Sequence, residues 1–251
     1  MLCWLTCTYG RYKCLQRNLQ CFLDQDFKGN SVMFICNSGD PLKLPDDFKL
    51  PINKQIYIDN CKLMNFQSVG EKYQHAIELA TSLFPDISIV TSADDDDVFL
   101  PNHLSEGAQG MLSAKEFGFE AYKPKQSWFR YRGVNGELII DKQENTLEPS
   151  IFVDVNWLLI YGYAPVSIKY HQQWLDPLIA QNKILVDSNG KSTLIYNWGD
   201  NTQGHDSWNI YKMSGSGEDN QNNFEAHKRS SLDMGTGTLI PTGDNSSYYK
   251  L

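Results

Sequence analysis

Residues 87–101 read Ile-Ser-Ile-Val-Thr-Ser-Ala-Asp-Asp-Asp-Asp-Val-Phe-Leu-Pro, an apolar run that leads directly into four adjacent carboxylates. The run 87–91 has the composition of a buried strand. Four adjacent carboxylates repel one another, so burying them at a strand end requires a compensating cation. In extended backbone Asp94 and Asp96 point the same way, and this spacing can offer oxygen ligands to Mg²⁺ or Mn²⁺. The alternative interpretation is a solvated acidic loop.

The segments on either side of this stretch alternate between strands and helices. Apolar runs predict strands at 2–7, 32–36 and 87–91, with a shorter strand at 55–58. Apolar residues at helical spacing predict helices at 12–24, from Gly70 to about Phe84, and from Pro101 to about Ala114. This alternation predicts an α/β fold with a mostly parallel sheet.

The second half of the chain is less regular. We expect strands at 118–122, 127–131, 137–140, 151–154 and 193–198, and a helix at 171–182. Residues 214–223 are rich in Gly, Ser and Asn, which is typical of a loop. The whole chain, 1–251, is interpreted as one domain with a first half (1–115), a less regular second half (116–235) and a weakly packed tail (236–251).

The composition excludes some classes of protein. The chain has 251 residues, 22 of them Lys or Arg and 30 Asp or Glu, for a net charge of −8. This acidic balance argues against general binding of nucleic acid. No apolar run reaches the ~18 residues of a transmembrane helix, and residues 1–7 are too short for a signal peptide. We therefore expect a cytoplasmic protein with reduced cysteines, one that could also lie against a membrane surface.

Two more segments place reactive side chains near strand ends or helix starts. Thr8-Tyr9-Gly10-Arg11 follows the first strand, where glycine permits close approach and Arg11 can pair with a phosphate. Lys72 follows a helix start, where it can meet an anion. Ligands of open α/β sheets bind outside the carboxyl ends of the strands, which is where the acidic run also lies. Each segment alone is also compatible with an ordinary turn or a solvated lysine.

Taken together, these motifs resemble the nucleotide-sugar glycosyltransferases of the GT-A fold related to the large family that includes cellulose and chitin synthases. Residues 8–11 resemble the family's TYxR turn, and residues 94–101 match its DxD element, often DDDDxxLP. Gly70-Glu71-Lys72 resembles its GxKxN helix start, with Gln74 in place of the usual Asn. The run Cys-Phe-Leu-Asp-Gln-Asp-Phe-Lys-Gly at 21–29 is also similar to a family segment. The resemblance covers residues 1–115 well and is weaker beyond them.

The resemblance implies a GT-A fold and a metal-dependent hexosyltransferase. It would move a sugar from a nucleoside diphosphate sugar, most often a UDP-sugar, to a hydroxyl group of a glycan, lipid or protein, as in polysaccharide biosynthesis. It implies that Asp96 holds Mn²⁺ or Mg²⁺ on the diphosphate. The implied nucleotide-binding residues are Thr8, Tyr9, Arg11, Lys72, Asp94 and Asp95, together with Asn37, which lies with Ser38 where the family often has an Asp that reads the base.

In the second half the resemblance implies two rival catalytic bases, His171 and Asp206. His171 aligns with a helix start that usually carries an acid, and Asp206 lies in a Gly-His-Asp-Ser-Trp segment that resembles an acid motif. His205 would be a further ligand of the metal or the diphosphate, and Glu148-Pro149-Ser150-Ile151 resembles a Glu-Ala-Ser stretch before a core strand. Two roles are possible for a set of aromatic residues: stacking on the sugar, as a sugar platform, or ordinary packing in the core. These residues are Trp128, Phe129, Tyr131, Trp198 and Trp208.

Two other functions compete with this interpretation. One is a catalytically inactive GT-A-like module that binds nucleotide or glycan, which the departures at Asn37, Gln74 and His171 motivate. The other is a nucleotidyltransferase, which also uses paired aspartates and a metal. That class needs a glycine-rich basic loop after the first strand, and residues 8–11 contain a single glycine.

Overall fold

The computed structural model describes residues 1–9, 11–132, 137–144, 148–167, 169–198, 237–247 and 249, apart from the side chains of 131, 132 and 198. The helices are α1 (Tyr12–Leu23), α2 (Val69–Leu83), α3 (His103–Glu116), α4 (Val155–Tyr161) and α5 (Gln172–Ala180), with 3-10 turns at Lys62–Met64 and Glu148–Ser150. The strands are β1 (Leu2–Thr8), β2 (Ser31–Asn37), β3 (Leu42–Lys43), β4 (Lys54–Asn60), β5 (Ile89–Ser92), β6 (Val98–Phe99), β7 (Ala121–Pro124), β8 (Gln126–Arg132), β9 (Leu138–Glu144), β10 (Phe152–Asp154), β11 (Ile184–Asp187), β12 (Leu194–Trp198) and β13 (Gly237–Thr238).

The central sheet has seven strands in the order β11-β7-β10-β5-β1-β2-β4. Strands β4, β2, β1 and β5 are parallel, β10 runs antiparallel between β5 and β7, and β11 is parallel to β7. The predicted α/β fold with a mostly parallel sheet is confirmed. Because β1 and β5 are parallel neighbours, the turn after β1 and the acidic run after β5 lie at the same edge.

Strand β1 is buried along almost its whole length, because helices cover both faces of the sheet. Leu2 and Trp4 belong to a core that includes Leu15 of α1 and Leu104 of α3. Cys3 and Leu5 belong to a second core that α2, α4 and α5 share; its α2 members are Tyr73, Ala76, Ile77 and Ala80. Side chains of a strand alternate between its faces, which assigns the two cores to opposite sides of the sheet.

A second sheet of four strands, in the order β6-β12-β8-β9, begins directly after the acidic run. Strand β12 pairs antiparallel with β6 and parallel with β8. The acidic run therefore connects the central sheet to the second sheet, and residues of both sheets can reach it.

Helix α4 and strand β11 were not predicted from the sequence, and neither were the two-residue strands β3, β6 and β13. Helix α4 directly follows β10, and the Asp154 side chain accepts a hydrogen bond from the Asn156 backbone N–H at 2.8 Å, which starts the helix. Its sequence is apolar almost all round, so it lacks the polar face that reveals an amphipathic helix. Strand β11 is Ile-Leu-Val-Asp, an apolar run of three residues. That run is shorter than the roughly 4–8 residues that indicate a buried strand.

The described part of the C-terminal tail packs more closely than its Gly-, Ser- and Thr-rich composition predicted. Strand β13 pairs with β3, and Leu239 is fully buried. The Asn245 side chain donates to the Arg17 carbonyl at 3.0 Å, and the Tyr249 hydroxyl donates to Asp24 at 2.6 Å. A few well-placed side chains thus fix the tail to α1.

Among the helices that the structure describes, none is both long enough and apolar enough to cross a lipid bilayer.

Candidate active site

The backbone of the acidic run is held in place by side chains from α1 and β12. Asn18 donates to the Asp94 carbonyl at 3.0 Å, and Asn197 donates to the Asp96 carbonyl at 2.6 Å. The Arg17 guanidinium also donates to the Asp96 carbonyl. These bonds satisfy backbone carbonyl groups of the acidic run. They do not use the carboxylate oxygens of Asp94 and Asp96.

Asp95 lies at the centre of a fully buried polar cluster with the turn after β1. It accepts a hydrogen bond from the Thr8 hydroxyl at 2.5 Å and two from Arg11, one of them from Nε at 3.1 Å. Burial lowers the pKa of the Arg11 guanidinium, but the charges of Asp95 and Asp96 outweigh it and the pKa is raised. Arg11 Nη1 is buried and has no hydrogen-bond partner among the described residues. A donor of this kind suits an anionic or oxygen-rich ligand.

Lys72 connects the same turn to the end of β2. Its ammonium is buried and donates to the Thr8 carbonyl and, at 2.8 Å, to the Ser38 hydroxyl. The Asn37 amide shapes its own turn: it donates to the Asp40 carbonyl at 2.8 Å and accepts from the Gly39 N–H at 3.0 Å. Ser38 and Lys72 therefore lie beside the turn that follows β1. The Asn37 side chain instead makes hydrogen bonds within the turn that follows β2.

Asp94 is buried beside α2, and the Tyr73 hydroxyl donates to its Oδ1 at 2.8 Å. Burial and the charges of Asp96 and Glu148 raise the pKa of Asp94 to about 7. The Asp96 side chain is 13% exposed, and its Oδ1 lies 3.8 Å from Arg11 Nη2. The carboxylates of this loop thus carry more negative charge than the surrounding groups neutralise.

Glu148 brings the second half of the chain to the same place. It is buried, accepts a hydrogen bond from the Ser92 hydroxyl at 2.6 Å and lies 3.3 Å from His171 Nδ1. Burial lowers the pKa of His171, but the charges of Glu148 and Asp94 outweigh it, so that pKa is raised above its usual 6.5. His171 is one quarter exposed, so it can meet a ligand from solvent.

Comparison with known proteins identifies the architecture of this site. No protein-family model matches the sequence, and no curated protein matches it significantly. Among solved structures, a fragment of S. aureus TarS, a GT-A-type glycosyltransferase, in complex with UDP is 16% identical, with a TM-score of 0.53 over 78% of this chain and 60% of that one. The complex of that fragment with UDP-GlcNAc gives 16% identity and a TM-score of 0.52 over 78% and 58%. A longer TarS structure gives 16% identity and 0.54 over 79% and 37%.

The chain has the GT-A fold. It spans about 60% of the length of the TarS fragment that it matches. The fold expected from the motif resemblance is therefore confirmed. At this level of identity the similarity concerns the fold, and the activity is argued below from the residues of this chain.

Most of the predicted site residues come together at this edge of the GT-A sheet. They are Thr8, Arg11, Lys72, Asp94, Asp95 and Asp96, with His171 reaching the group through Glu148. Tyr9 follows β1 and is half-buried. The predicted residues His205 and Asp206 lie outside the described part of the chain, as do Trp208 and the loop 214–223.

Two of the aromatic residues considered for a sugar platform pack within the second sheet. The Lys142 ammonium lies over the Trp128 ring at 4.5 Å from its centroid, and the Phe129 and Tyr196 centroids are 5.6 Å apart. For Trp198 and Tyr131 only the backbone is described.

The residues of the acidic run fit a hard divalent cation. Their donors are carboxylate oxygens, and Asp94 and Asp96 lie close enough for the charge of Asp96 to add to burial in raising the pKa of Asp94. In the described residues, Asp97 Oδ2 is also buried without a hydrogen-bond partner. Mg²⁺ and Mn²⁺ prefer this oxygen donor set.

Sequence reasoning did not assign a role to several residues that build the site. Tyr73 packs in the core under α2, and its hydroxyl also donates to Asp94. Glu148 was noted only as part of a family-like stretch, although an acid next to an apolar strand is itself a signal of a buried functional carboxylate. Arg17, Asn18 and Asn197 left no signal, because their contacts are to the backbone of a loop distant in sequence.

Proposed function

We propose that this chain is a glycosyltransferase that moves a sugar from a UDP-sugar to a hydroxyl group of an acceptor. The observation that carries the proposal is the buried cluster of Thr8, Arg11 and Asp95 at the carboxyl edge of β1 and β5, next to the acidic run. The similarity in fold to TarS, whose structures include complexes with UDP and UDP-GlcNAc, supports this choice of donor.

The donor would lie across the edge of the sheet where these groups converge. Thr8, Arg11 and Asp95 would position the nucleoside, with Lys72 and Ser38 at the border of the same turn. Asp96, with Asp94 beside it, would hold Mn²⁺ or Mg²⁺ on the diphosphate. The ion would neutralise negative charge on the departing nucleoside diphosphate.

His171 is the group best placed among the described residues to accept the acceptor's proton. Its Nδ1 faces Glu148 at 3.3 Å, which leaves Nε2 to accept a proton from the attacking hydroxyl group. The Glu148 carboxylate would then stabilise the imidazolium that forms, as a carboxylate does for a catalytic histidine in other transfer reactions. Asp206 stays the rival base from the sequence.

Thermal unfolding in the presence of nucleotides tests the donor site. We would measure the wild type with UDP, GDP and CDP, each with and without Mn²⁺, alongside Asp96→Ala and Asp46→Ala. A ligand at about 100 times its dissociation constant adds about 2.7 kcal/mol of stability, which such a measurement resolves. We expect UDP with Mn²⁺ to raise the melting temperature of the wild type and of Asp46→Ala, whose carboxylate is exposed.

The loss of this shift in Asp96→Ala would assign the metal to the acidic run. If no nucleotide binds under any condition, the proposal fails. Binding of UDP without any release of sugar from UDP-sugars to hydroxyl acceptors would favour the inactive binding module instead. Asn37 motivates that alternative, because it stands where the family often has an Asp that reads the base. Its side chain instead makes hydrogen bonds with the backbone of Gly39 and Asp40.

A further inference from the structure

A second group of side chains with metal-ligating atoms lies where strands β2 and β4 end. Cys36 is the last residue but one of β2, Asp59 lies beside it on β4, Cys61 follows β4, and His75 is on α2. His75 Nε2 lies 2.8 Å from Asp59 Oδ2, and the two sulfur atoms of Cys36 and Cys61 are 3.3 Å apart. Cys36 Sγ lies 3.9 Å from Asp59 Oδ2.

We propose that Cys36, Cys61, Asp59 and His75 bind a structural zinc ion. Two thiolates, an imidazole and a carboxylate form a donor set that Zn²⁺ binds in tetrahedral geometry. Bonds of about 2.0–2.3 Å place tetrahedral ligand atoms about 3.3–3.8 Å apart. The ligand atoms of Cys36, Asp59 and His75 already lie within 4.8 Å of one another, so small side-chain movements bring them to that spacing.

This site differs in chemistry from the acidic run. Sulfur and imidazole ligands select zinc, whereas an all-oxygen set selects Mg²⁺ or Mn²⁺. Binding would release the two thiol protons to solvent, with no change in oxidation state. The proposal is therefore independent of the proposed transferase activity.

Burial and access also fit a structural ion. Cys36 and Cys61 are buried, while the side chains of Asp59 and His75 are 18% and 22% exposed. An ion can therefore enter from the side of His75 and end in a site that solvent barely reaches. Once bound, it would tie together β2, the edge strand β4 and helix α2, in addition to their packing, the sheet hydrogen bonds and the contact of His75 with Asp59.

The structure also places this group against the turn of the candidate active site. The Cys61 N–H donates to the Asn37 carbonyl at 2.9 Å. The Cys61 thiol also donates to this oxygen at 3.3 Å, and that bond would be lost when zinc binding releases the thiol proton, whereas the backbone bond would remain. Zinc would thus fix the position of residues 37–40 as well as the strands.

Cobalt substitution tests the site directly. Protein carrying Asp96→Ala, which removes the rival metal ligand, would be stripped with a chelator and titrated with Co²⁺, then with Zn²⁺. We expect one Co²⁺ per chain with thiolate-to-cobalt charge-transfer absorption and tetrahedral d–d bands, both displaced by Zn²⁺. Cys36→Ser and Cys61→Ser should remove the charge-transfer band or cut it sharply, and His75→Ala should weaken affinity at least tenfold. Cys14→Ser, which removes a buried thiol of α1 outside the proposed site, should change nothing.

Zinc X-ray absorption on the wild-type protein gives a reading that needs no variant. We expect two sulfur ligands on the bound zinc and a melting temperature that rises with Zn²⁺ but not with Mg²⁺. The proposal is overturned if the charge-transfer band is absent or survives both cysteine variants, or if bound zinc has no sulfur ligand. A Cys36–Cys61 disulfide in protein purified without reductant would overturn it too, because it would make the pair a redox couple.

Discussion

The buried ion pair between Arg11 and Asp95 is the residue-scale feature on which the candidate donor site depends. Both side chains are almost completely buried, and Thr8 is the other described hydrogen-bond donor to Asp95. Removing one charge of such a pair leaves the other buried without compensation. The pair therefore restricts substitutions more tightly than any exposed ion pair of the chain.

We predict that Arg11→Met lowers the free energy of unfolding by about 3–5 kcal/mol, because the Asp95 carboxylate loses its cation. Arg11→Met combined with Asp95→Asn should cost clearly less than the sum of the two single changes, since no buried charge is left alone. Urea unfolding of the four proteins of this cycle measures both effects. Lys62→Met, which breaks an exposed pair with Asp40, should have little effect. Additive costs in the cycle would contradict the interpretation.

The contact between Glu148 and His171 leads to a prediction about pH. A histidine base is active when neutral, so kcat/KM should rise as pH increases through the pKa of His171, which is raised above 6.5 by the neighbouring carboxylate despite the opposing effect of burial. Glu148→Gln removes that charge and keeps an oxygen to accept from Ser92. We predict that the acidic limb of the profile moves to lower pH and that the maximal rate falls.

The pH–rate profile of Glu148→Gln is compared with those of the wild type and of Glu116→Gln, which changes an exposed acid at the end of α3. An acidic limb that stays in place in Glu148→Gln, with activity retained in His171→Ala, would exclude His171 as the base. Asp206 would then be the base to test.

At the scale of elements, the start of helix α2 shows why one position must be glycine. Ser68 caps the helix by accepting from the Glu71 N–H at 3.1 Å. A Cβ on Gly70 would lie 1.7 Å from the Ala164 carbonyl oxygen, so the segment after α4 packs directly on the helix backbone. In the sequence, Gly70 was noted only as part of the helix-start motif. The structure explains why a glycine stands there: a side chain would collide with Ala164.

We predict that Gly70→Ala destabilises the protein by about 1–3 kcal/mol, because Ala164 and Tyr170 must move away from α2. The displacement should also weaken UDP binding, since Lys72 and Tyr73 lie on the same turn of the helix. Chemical unfolding and nucleotide titration measure the two effects. Ser82→Ala, on an exposed part of α2, should be close to neutral. Full stability of Gly70→Ala would show that this packing is loose.

The strands and helices that the sequence predicted well are those with strong local patterns. The apolar runs of β1, β2 and β5 and the amphipathic face of α1 are such patterns, and each appears within a few residues of its predicted place. Helix α4 was missed because it is apolar almost all round, and β11 because its apolar run is only three residues long. In the same way, the acidic run was found from local charge, whereas its partners Asn18, Asn197 and Glu148 come from distant segments.

At the scale of the whole molecule, the order in which the strands pair could not be predicted from local sequence patterns. Predicting a mostly parallel sheet required only the alternation of elements, but the insertion of β10 between β5 and β7 depends on contacts between segments about 30 to 60 residues apart. The second sheet is a similar case, since β12 meets both β6 and β8. Non-local pairing is a property of the packed chain rather than of any single segment.

His103 lies where the two sheets meet, and its surroundings keep it neutral. Its Nδ1 lies 2.7 Å from the Thr193 hydroxyl, just before β12, and its Nε2 lies 3.4 Å from the Thr91 hydroxyl on β5. The rings of Trp4, Phe99 and Phe152 surround it. Burial lowers the pKa of His103 to about 3.

This depressed pKa leads to a prediction about acid stability. Above the unfolded-state pKa of about 6.5, His103 is neutral in both states and its contribution to stability is fully present. Below that value the unfolded chain binds a proton that the folded chain does not bind, so stability falls by about 1.4 kcal/mol per pH unit until the folded pKa of about 3 is reached.

Urea unfolding between pH 7 and pH 4.5 should therefore show a steeper loss of stability for the wild type than for His103→Gln. The variant is expected to be less stable at pH 7, because it disturbs the contacts between the sheets, and the difference between the two proteins should shrink as the pH falls. Parallel curves would mean that His103 accepts a proton in the folded state and that the junction of the two sheets admits water.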